Sequence, residues 1–395
     1  MLVLKFMDNY VAEIDLTIGQ CNVINEHRLP FNLKLGSHLT PFENVNNFRM
    51  WCADRTLSLG KYNAKKICNV LGLQQDSSDN YRMKLALAYK CLTLDDAYWV
   101  TEYGSNLLWD DVNLFENKSE NVLTPVSLCG KVSTVFKGKL KNSCDLSVNG
   151  TFAKSWIRDK STGELYLVKA DSSEESRETF NEVDASKILI DLGADTVSYS
   201  IDYVDGVRVS KCKCFTSKDV SFIPYSVFRK VGCYEGVTPI EWVKSKFKRE
   251  YANMCVANYL IGNEDLHDGN WGLLLDNKSF SFIGLVPLFD FNYAFSNTYK
   301  QSANLHFIPE IILKDISTGE IIPEDKDYLD YEYEIVSKYS NEEIAIKEYV
   351  NCNLNLDEIL YNYGKAKNDE LKRRVNMLLN STKLSSLDHM FNSVK

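Results

Sequence analysis

The chain has 395 residues, of which 45% are hydrophobic and 12% aromatic, a composition typical of a folded globular protein and not of a disordered one. Its length exceeds the roughly 250–300 residues over which a single hydrophobic core grows, so two or three subdomains are expected. A net charge of -9, from 45 basic and 54 acidic side chains, argues against a general polyanion-binding surface.

The eleven cysteines are spread through the chain, and the N-terminal segment lacks the basic stretch and apolar core of a secretory leader. We therefore expect a reduced, cytoplasmic protein. Cys212 and Cys214 are closely spaced, but without a second Cys or His pair nearby this spacing is a poor zinc pattern. No run approaches the ~18 apolar residues that a membrane-spanning helix needs.

The N-terminal region begins with alternating segments, such as Tyr10 to Leu16. It then becomes helical over Phe48 to Leu73, where apolar residues recur at three- and four-residue steps. An aromatic group follows, which could form a binding surface but is more often core or an interface between subdomains. We predict burial for its members, Tyr98, Trp99, Trp109 and Phe115.

Short strands are indicated from residue 144 onwards. Leu146 to Val148 leads into the turn "NGTFAKS", and Trp156-Ile157 is followed by a polar loop and a strand from Leu165 to Val168. That strand delivers Lys169 at its end. The pattern predicts a sheet bent around a Gly-containing turn.

A helix and a hairpin come next. Glu174 to Leu192 carries apolar residues at helical intervals, with Gly193 as its C-terminal stop. Val197 to Val204 and Val207 to Cys214 then flank Asp205-Gly206, which is a strong hairpin signal.

A second helix is predicted to begin at Thr238, because "TPIE" supplies an N-cap Thr, a Pro at the first helical position and a Glu for a capping box. Gly262 should end this helix, whose apolar residues lie four apart on one face: Val243, Phe247, Tyr251, Cys255 and Tyr259.

The remaining chain is predicted to contain a strand pair and then helices. Leu273 to Leu275 and Phe280 to Ile283 bracket a turn, and another strand-like run ends at "PLFDF", residues 287–291. The C-terminal third reads as mostly helical. The order predicts an α+β protein in which a small β-rich lobe precedes a larger helical one.

Phosphoryl transfer from ATP requires a turn near the phosphates, a Lys paired with them, a helix acid that orients the Lys, a carboxylate near the acceptor hydroxyl, and Mg²⁺ ligands. The chain offers these groups in the order that kinases use: the turn Val148 to Ala153, then Lys169, Glu182, Asp265, Asn270 and Asp290. Asp265 precedes Asn270 by five positions, the spacing of the kinase H-R-D-x-x-x-x-N loop.

The helix acid is the least determined of these residues, since Glu174, Glu175 and Glu178 share the region; Glu182 is preferred because it lies within the helical pattern. Other chemistries fit "GNEDLHDGNWG" (residues 262–272) less well. Leu266 and His267 interrupt an EF-hand pattern, and the other histidines are too distant in sequence for zinc. A hydrolytic triad lacks its nucleophile elbow. His267 is interpreted as a brace that holds Asp265 or Asp290 within the loop.

These motifs resemble the HipA-like group of bacterial Ser/Thr kinases, distant relatives of the phosphoinositide-kinase-like branch. In that family the loop reads approximately N-x-D-x-H-x-x-N-x-G/S, which matches Asn263, Asp265, His267, Asn270 and Gly272. Asp290 follows a Pro-x-aromatic stretch as the family's metal-binding Asp does, Lys169 matches the ATP-binding Lys, and Lys154 matches the Lys of the phosphate loop.

The resemblance implies a bilobal kinase fold, with ATP and Mg²⁺ as cofactors. Asp265 and His267 would be the catalytic residues, and Asn270 and Asp290 the metal ligands. It implies a phosphate loop made of Val148, Asn149, Gly150, Thr151, Phe152, Ala153 and Lys154, and an adenine-binding hinge made of Lys211, Cys212, Lys213, Cys214 and Phe215. Ser147 matches the family's autophosphorylated Ser, although an ordinary Ser at the end of a strand would look the same, and Ser143 and Ser155 lie nearby as decoys. The sequence departs from eukaryotic kinases in lacking G-x-G-x-x-G and A-P-E elements.

The resemblance also implies an organisation and partners. Residues 1–126 would be the N-terminal subdomain of HipA-like chains, to which the sequence assigns no chemistry; residues 127–222 would be the kinase small lobe and 223–395 the helical large lobe. Expected partners are a protein substrate with a Ser or Thr hydroxyl and a small antitoxin or regulatory protein, in a bacterial or phage-encoded setting. Two alternatives stay open: a pseudokinase that acts as a binding module, and a kinase for a lipid or small-molecule hydroxyl.

Overall fold

The computed structural model describes residues 1–57, 59–117, 123–131, 144, 152–173, 176–263, 265–295, 311–315, 333–337 and 341–392. For residues 311–315, 333–337, 341–343 and 381–392, the description covers the backbone alone. The predicted strand Leu146 to Val148 lies outside the described residues.

The first sheet is antiparallel and has the order β3-β2-β1-β4. Its strands are β1 (Leu2–Phe6), β2 (Asn9–Asp15), β3 (Gln20–Val23) and β4 (Tyr98–Glu102). The helices α1 (Pro41–Asp54), α2 (Ala64–Leu71) and α3 (Asp79–Ala88) lie between β3 and β4 in the chain, and α4 (Trp109–Val112) and α5 (Thr124–Cys129) follow.

The aromatic group of this region is core, as predicted. Tyr98, Trp99 and Trp109 are at most 2% exposed, and Phe115 packs against the same core while partly buried. Tyr98 and Trp99 point to opposite faces of β4, so both faces of this strand are covered, and burial removes the large rings from water.

The helical region predicted from Phe48 to Leu73 contains the end of α1 and all of α2, but it is not continuous. α1 ends at Asp54, and Arg55 leaves the helical conformation to bond the backbone carbonyl of Cys91 and the carboxylate of Asp96. The chain turns there before α2 begins at Ala64, so a buried ion pair interrupts an apolar pattern that is locally helical on both sides.

The second sheet is antiparallel with the order β5-β6-β8-β7. It consists of β5 (Lys154–Arg158), β6 (Leu165–Ala170), β7 (Tyr199–Val204) and β8 (Val207–Lys213), and α6 (Glu178–Asp191) packs against it. The predicted hairpin turn is confirmed: Asp205 and Gly206 have φ values of 50° and 78°, as a type I′ turn requires.

The third sheet has the order β11-β10-β9. Its strands are β9 (Val220–Pro224), β10 (Gly272–Asp276) and β11 (Ser281–Leu285), and between β9 and β10 the chain forms α7 (Tyr225–Phe228), α8 (Pro239–Lys246) and α9 (Lys248–Leu260). The run that ends at residue 291 is not a strand, since Leu288 makes only an isolated parallel bridge with Thr196.

The helix predicted from Thr238 to Gly262 is two helices. The capping box of Thr238 and Glu241 is present as predicted. Phe247, with φ -124° and ψ 46°, ends α8 and starts α9. The break leaves the aligned residues Val243, Phe247, Tyr251 and Tyr259 buried, so the shared apolar face survives.

The C-terminal part is less helical than predicted, because β12 (Ile311–Asp315) and β13 (Tyr333–Ser337) pair antiparallel before α10 (Asn341–Tyr349) and α11 (Lys365–Asn392). α11 ties the elements together. Its Lys367 bonds Asp184 of α6, and its Arg374 donates to the Tyr259 carbonyl of α9 at 2.6 Å. The fold is α+β, as predicted. Within the described helices none is long and apolar enough to cross a membrane.

Candidate active site

A cavity of about 730 Å³ lies where the second sheet meets the third sheet and its loops. Four parts of the chain line it. The N-terminal region contributes residues such as Trp51, Arg55 and Asp95, and the loops after α9 and β11 contribute Asp265, Asn270 and Asp290. The other lining residues belong to the second sheet and to the segment that follows it: Lys154, Trp156, Leu167, Lys169, Tyr199 and Cys212, then Phe215 and Phe222.

The register of the second sheet places two lysines side by side. Lys154 of β5 is directly opposite Lys169 of β6, and Ser210 of β8 is opposite Lys169 on its other side. Like charges that face each other across a strand pair are unfavourable unless anions compensate them. Two lysines therefore lie together in this part of the cavity, beside the carboxylates that compensate them.

Lys169 is held between two carboxylates. Its Nζ lies 2.5 Å from Glu182 Oε1 and 2.6 Å from Asp290 Oδ1, and it is 6% exposed. Burial by itself lowers the pKa of Lys169, but the charges of Asp290 and Glu182 hold that pKa well above its usual value. Lys169 is a fixed cation, and its orientation is set from α6 on one side and from the loop after β11 on the other.

Glu182 is 1% exposed and also accepts a hydrogen bond from the Ser210 hydroxyl. Burial raises the pKa of Glu182, while Lys169 opposes this effect. The other candidate helix acids do not reach Lys169: Glu178 bonds Ser172 instead, and Glu174 and Glu175 lie outside the described residues.

The loop between α9 and β10 is held by its own amides. Asn263 is 1% exposed; its Nδ2 donates to Asn258 Oδ1 at 2.8 Å, and its Oδ1 accepts from the backbone N–H of Asp265 at 3.2 Å. Asn270 Nδ2 donates to the Asp265 carbonyl at 2.9 Å. The backbone around Asp265 is thus fixed from both ends of the loop.

The side chain of Asp265 borders the cavity, and within the described part of the chain its carboxylate accepts no hydrogen bond. Burial raises the pKa of Asp265, nearby His267 lowers it, and the Asp290 carboxylate raises it further. A carboxylate in such an environment is a better proton acceptor than one in water.

His267 braces the loop, but through a different contact from the one predicted. Its Nδ1 accepts from the backbone N–H of Gly269 at 3.0 Å, and it makes no hydrogen bond to either the Asp265 or the Asp290 side chain. Its influence on those carboxylates is electrostatic, since it lowers the pKa of both.

Asp290 has a positive φ of 63°, a conformation that few residues other than Gly adopt. Two contacts hold it there: its backbone N–H donates to the Tyr199 hydroxyl at 3.2 Å, and Asn263 Nδ2 approaches its carbonyl at 3.5 Å. Burial tends to raise the pKa of Asp290, but Lys169 and Lys154 hold it below its ordinary value, so its carboxylate is ionised.

The donor set fits a small hard cation such as Mg²⁺. Asp290 Oδ2 and the side-chain oxygen of Asn270 make no hydrogen bond within the described residues, and both residues line the cavity. Carboxylate and amide oxygens, completed by water and phosphate oxygens, are what Mg²⁺ prefers. Among the described residues no cluster of three His, Cys, Asp or Glu side chains offers an alternative metal site.

The predicted hinge residues divide into two groups. Cys212, Lys213, Cys214 and Phe215 line the cavity, whereas Lys211 does not. Successive side chains of a strand point to opposite faces, and Lys211 turns away to pair with Asp202 at 3.0 Å. Burial raises the pKa of the Cys212 thiol to about 12, which disfavours a metal-binding thiolate there.

Only the end of the predicted phosphate loop is described. Phe152, whose ring centroid lies 5.7 Å from that of Tyr293, borders the cavity with Lys154, and Ala153 is buried. Ser143, Ser147, Val148, Asn149, Gly150 and Thr151 lie outside the described residues. The alternative serine, Ser155, is fully buried and bonds Thr124 at 3.0 Å.

Several residues of the site belong to no sequence motif. Tyr199 supports Asp290 and lies beside Lys169, Ser210 bonds Glu182, and the N-terminal region contributes a wall of the cavity. Tyr199 and Ser210 occupy inward-facing strand positions. The alternation of side chains along a strand identifies such positions only when the register of the strand is known.

Two solved structures are similar to this chain. One is a Helicobacter pylori proinflammatory kinase, CtkA, with 19% identity, a TM-score of 0.40, and coverage of 60% of this chain and 94% of that one. The other is HipA of Shewanella oneidensis, from a complex with HipB and its operator DNA, with 14% identity, a TM-score of 0.48, and coverage of 95% of this chain and 91% of that one.

The sequence matches no protein-family model and no curated protein. The functional assignment therefore depends on the residues of the site.

Proposed function

We propose that this protein is an ATP- and Mg²⁺-dependent kinase that transfers a phosphoryl group to a Ser or Thr hydroxyl of a protein. The observation that carries the proposal is the convergence of Lys169, its two carboxylate partners and the Asp265–Asn270 loop on one cavity. Groups separated by more than a hundred residues meet there, and they are of the kinds that phosphoryl transfer uses.

The charged groups have distinct tasks in this proposal. Lys154 and Lys169, side by side on β5 and β6, hold the phosphates, and Glu182 keeps the Lys169 side chain in place. Asn270 and Asp290 hold Mg²⁺, which neutralises charge on the transferred group. The cavity-facing residues Cys212 to Phe215 bind the adenine through their backbone groups.

Asp265 accepts or orients the proton of the acceptor hydroxyl. Its raised pKa favours proton acceptance, and the hydrogen bond from Asn270 to its carbonyl links its position to the metal site. Autophosphorylation of Ser147 and the bilobal domain division are parts of the same proposal, and they follow from the resemblance of the motifs.

The test compares the wild type with Asp265→Asn in two assays. ATP and Mg²⁺ should raise the melting temperature of both proteins, because the substitution leaves the phosphate and hinge groups intact. Transfer from radiolabelled ATP, to the protein itself or to an added bacterial extract, should fall by roughly 10²–10⁴-fold in Asp265→Asn. Equal transfer by the two proteins would refute the role of Asp265.

The same assays separate the alternatives. Nucleotide binding without transfer by the wild type would indicate a pseudokinase that acts as a binding module, and label in a lipid or small-molecule fraction would indicate a different acceptor. Intact-mass and peptide mass spectrometry of protein expressed in a bacterium would report autophosphorylation and its position. A phosphate on Ser147, absent from Asp265→Asn protein, is the expected result.

A further inference from the structure

The N-terminal region reaches the cavity through the segment between α3 and β4. Leu94, Asp95 and Asp96 line the cavity, and two short hydrogen bonds hold Leu94 and Asp95 against the chain that follows the proposed hinge. The Thr216 hydroxyl donates to the Leu94 carbonyl at 2.6 Å, and the Phe222 backbone N–H donates to the Asp95 carbonyl at 2.6 Å. This segment is therefore a fixed wall of the site.

Arg55 holds the same segment from behind. Its guanidinium makes a two-pronged contact with Asp96, at 2.8 and 2.6 Å, and its Nε donates to the Cys91 carbonyl at 2.7 Å. Bidentate pairs of this type fix geometry as well as charge. Asp96 is thereby neutralised and committed to the internal structure of the N-terminal region.

Asp95 is in the opposite situation. Among the described residues its carboxylate accepts no hydrogen bond, and it is accessible to solvent from the cavity although protein surrounds it. Burial and the neighbouring Asp96 both disfavour its charge, while Arg55 and Lys154 favour it without bonding it. Because its side chain is exposed to the cavity, a ligand bound there can reach this carboxylate with a hydrogen-bond donor.

The charge of Asp95 limits which part of a ligand can lie beside it. An ionised carboxylate only accepts hydrogen bonds and repels phosphate, and the phosphates have Lys154 and Lys169 as partners. A nucleoside triphosphate offers donors at its base amine and its ribose hydroxyls. The backbone of Cys212 to Phe215 is assigned to the base, so the ribose hydroxyls are the donors that remain.

We propose that Asp95 accepts hydrogen bonds from the ribose hydroxyls of the bound nucleotide, so that the N-terminal region forms part of the nucleotide site and determines its specificity for a ribonucleotide. This inference rests on the proposed function, because it assumes a nucleotide in the cavity. It assigns a binding role to a region in which the sequence indicated no chemistry.

The test is calorimetric titration, with Mg²⁺ present, of ATP, 2′-deoxy-ATP and 3′-deoxy-ATP into the full-length wild type, Asp95→Ala, Asp95→Asn and a control variant. Wild type should bind at least one deoxy analogue about 10-fold more weakly than ATP, the usual effect of losing a hydrogen bond to a charged group. Asp95→Ala should bind all three nucleotides with the same affinity, and Asp95→Asn should show an intermediate preference.

Asp110→Ala is the control, since Asp110 is an exposed carboxylate of α4 that does not line the cavity, and it should keep the wild-type preference. The deoxy analogue supplies an internal control. A substitution that merely distorted the site would weaken the binding of all three nucleotides. Loss of a ribose contact alone would weaken the binding of ATP and leave unchanged the affinity for the deoxy analogue that wild type binds more weakly.

Two outcomes would overturn the inference: equal binding of all three nucleotides by the wild type, or an undiminished ATP preference in Asp95→Ala. Both leave the proposed kinase function intact, because ATP still binds. Failure of wild type to bind any of the three would instead refute the proposed function, and the ribose contact with it.

Discussion

The Lys169 ammonium lies 2.6 Å from the Asp290 carboxylate, and this contact joins the second sheet to the segment that follows β11, 121 residues later in the chain. The ammonium contacts Glu182 as well, so a single cation compensates two carboxylates in a largely buried place. Removing one member of such a group leaves uncompensated buried charge, which costs more than the group itself contributes.

Lys169→Met should therefore abolish phosphate transfer and lower the free energy of unfolding by about 3–5 kcal/mol. Adding Glu182→Met should restore part of that loss, because it removes one of the two carboxylates that Lys169 had compensated. Urea unfolding at neutral pH measures both. Lys211→Met, which breaks a half-exposed ion pair, is the control and should cost about 0–1 kcal/mol. Additive destabilisation in the double variant would contradict the argument.

Substitutions of Asn270 should separate its two contacts. Asn270→Ala removes both the amide oxygen assigned to Mg²⁺ and the hydrogen bond to the Asp265 carbonyl, whereas Asn270→Asp keeps oxygen donors and loses only the N–H. We expect the Mg²⁺ concentration for half-maximal transfer to rise about 10-fold or more in Asn270→Ala, and to stay closer to that of wild type in Asn270→Asp. The measurement is transfer activity as a function of Mg²⁺ concentration. An identical Mg²⁺ requirement in the wild type and both variants would show that Asn270 does not bind the metal.

Gly272, which ends the loop and starts β10, has no room for a side chain. A Cβ there would lie 2.2 Å from the Ile223 carbonyl oxygen and 2.9 Å from the Tyr225 nitrogen. Gly272→Ala should lower the free energy of unfolding by about 1–3 kcal/mol through overpacking, and reduce activity by moving the loop. Gly284→Ala is a matched control on β11, where a Cβ meets nothing within 4 Å. Equal stability of the two variants in urea would show that β9 and β10 separate easily.

The stability of Asp95 variants should depend on pH. Burial, then Asp96, raise the pKa of Asp95 to about 6 from an ordinary 3.8, against the opposing effect of Arg55 and Lys154. The folded state thus holds a proton that the unfolded state releases, so this residue's contribution to stability falls as pH rises between these two pKa values and stays low above them.

Asp95→Asn, which cannot ionise, should consequently gain stability relative to wild type between about pH 4 and about pH 7. The difference between the two urea midpoints at each pH is the measurement, and Asp110→Asn should show no such trend. A difference that is constant with pH would mean that Asp95 titrates normally. A residue that destabilises the free protein at neutral pH is consistent with a binding role.

Much of the local structure is readable from the sequence. The Asp205-Gly206 turn and the capping box at Thr238 depend on a few adjacent residues, and both are present. One of the two helix breaks that the pattern does not show has a long-range cause. Arg55 ends α1 because Asp96 and the Cys91 carbonyl bind it, and those partners are some forty residues away.

What the sequence by itself determined is the set of chemical groups and their order: a lysine at a strand end, an acid on the following helix, and the acids and amides of two loops. Adjacent residues carry this information. The tertiary structure alone decided which groups meet. The strand register sets Lys154 against Lys169, and the α6 packing selects Glu182 from the nearby acids. The tertiary structure also brings Asp95, which belongs to no motif, to the cavity. Contacts between distant residues depend on packing and not on the local sequence pattern.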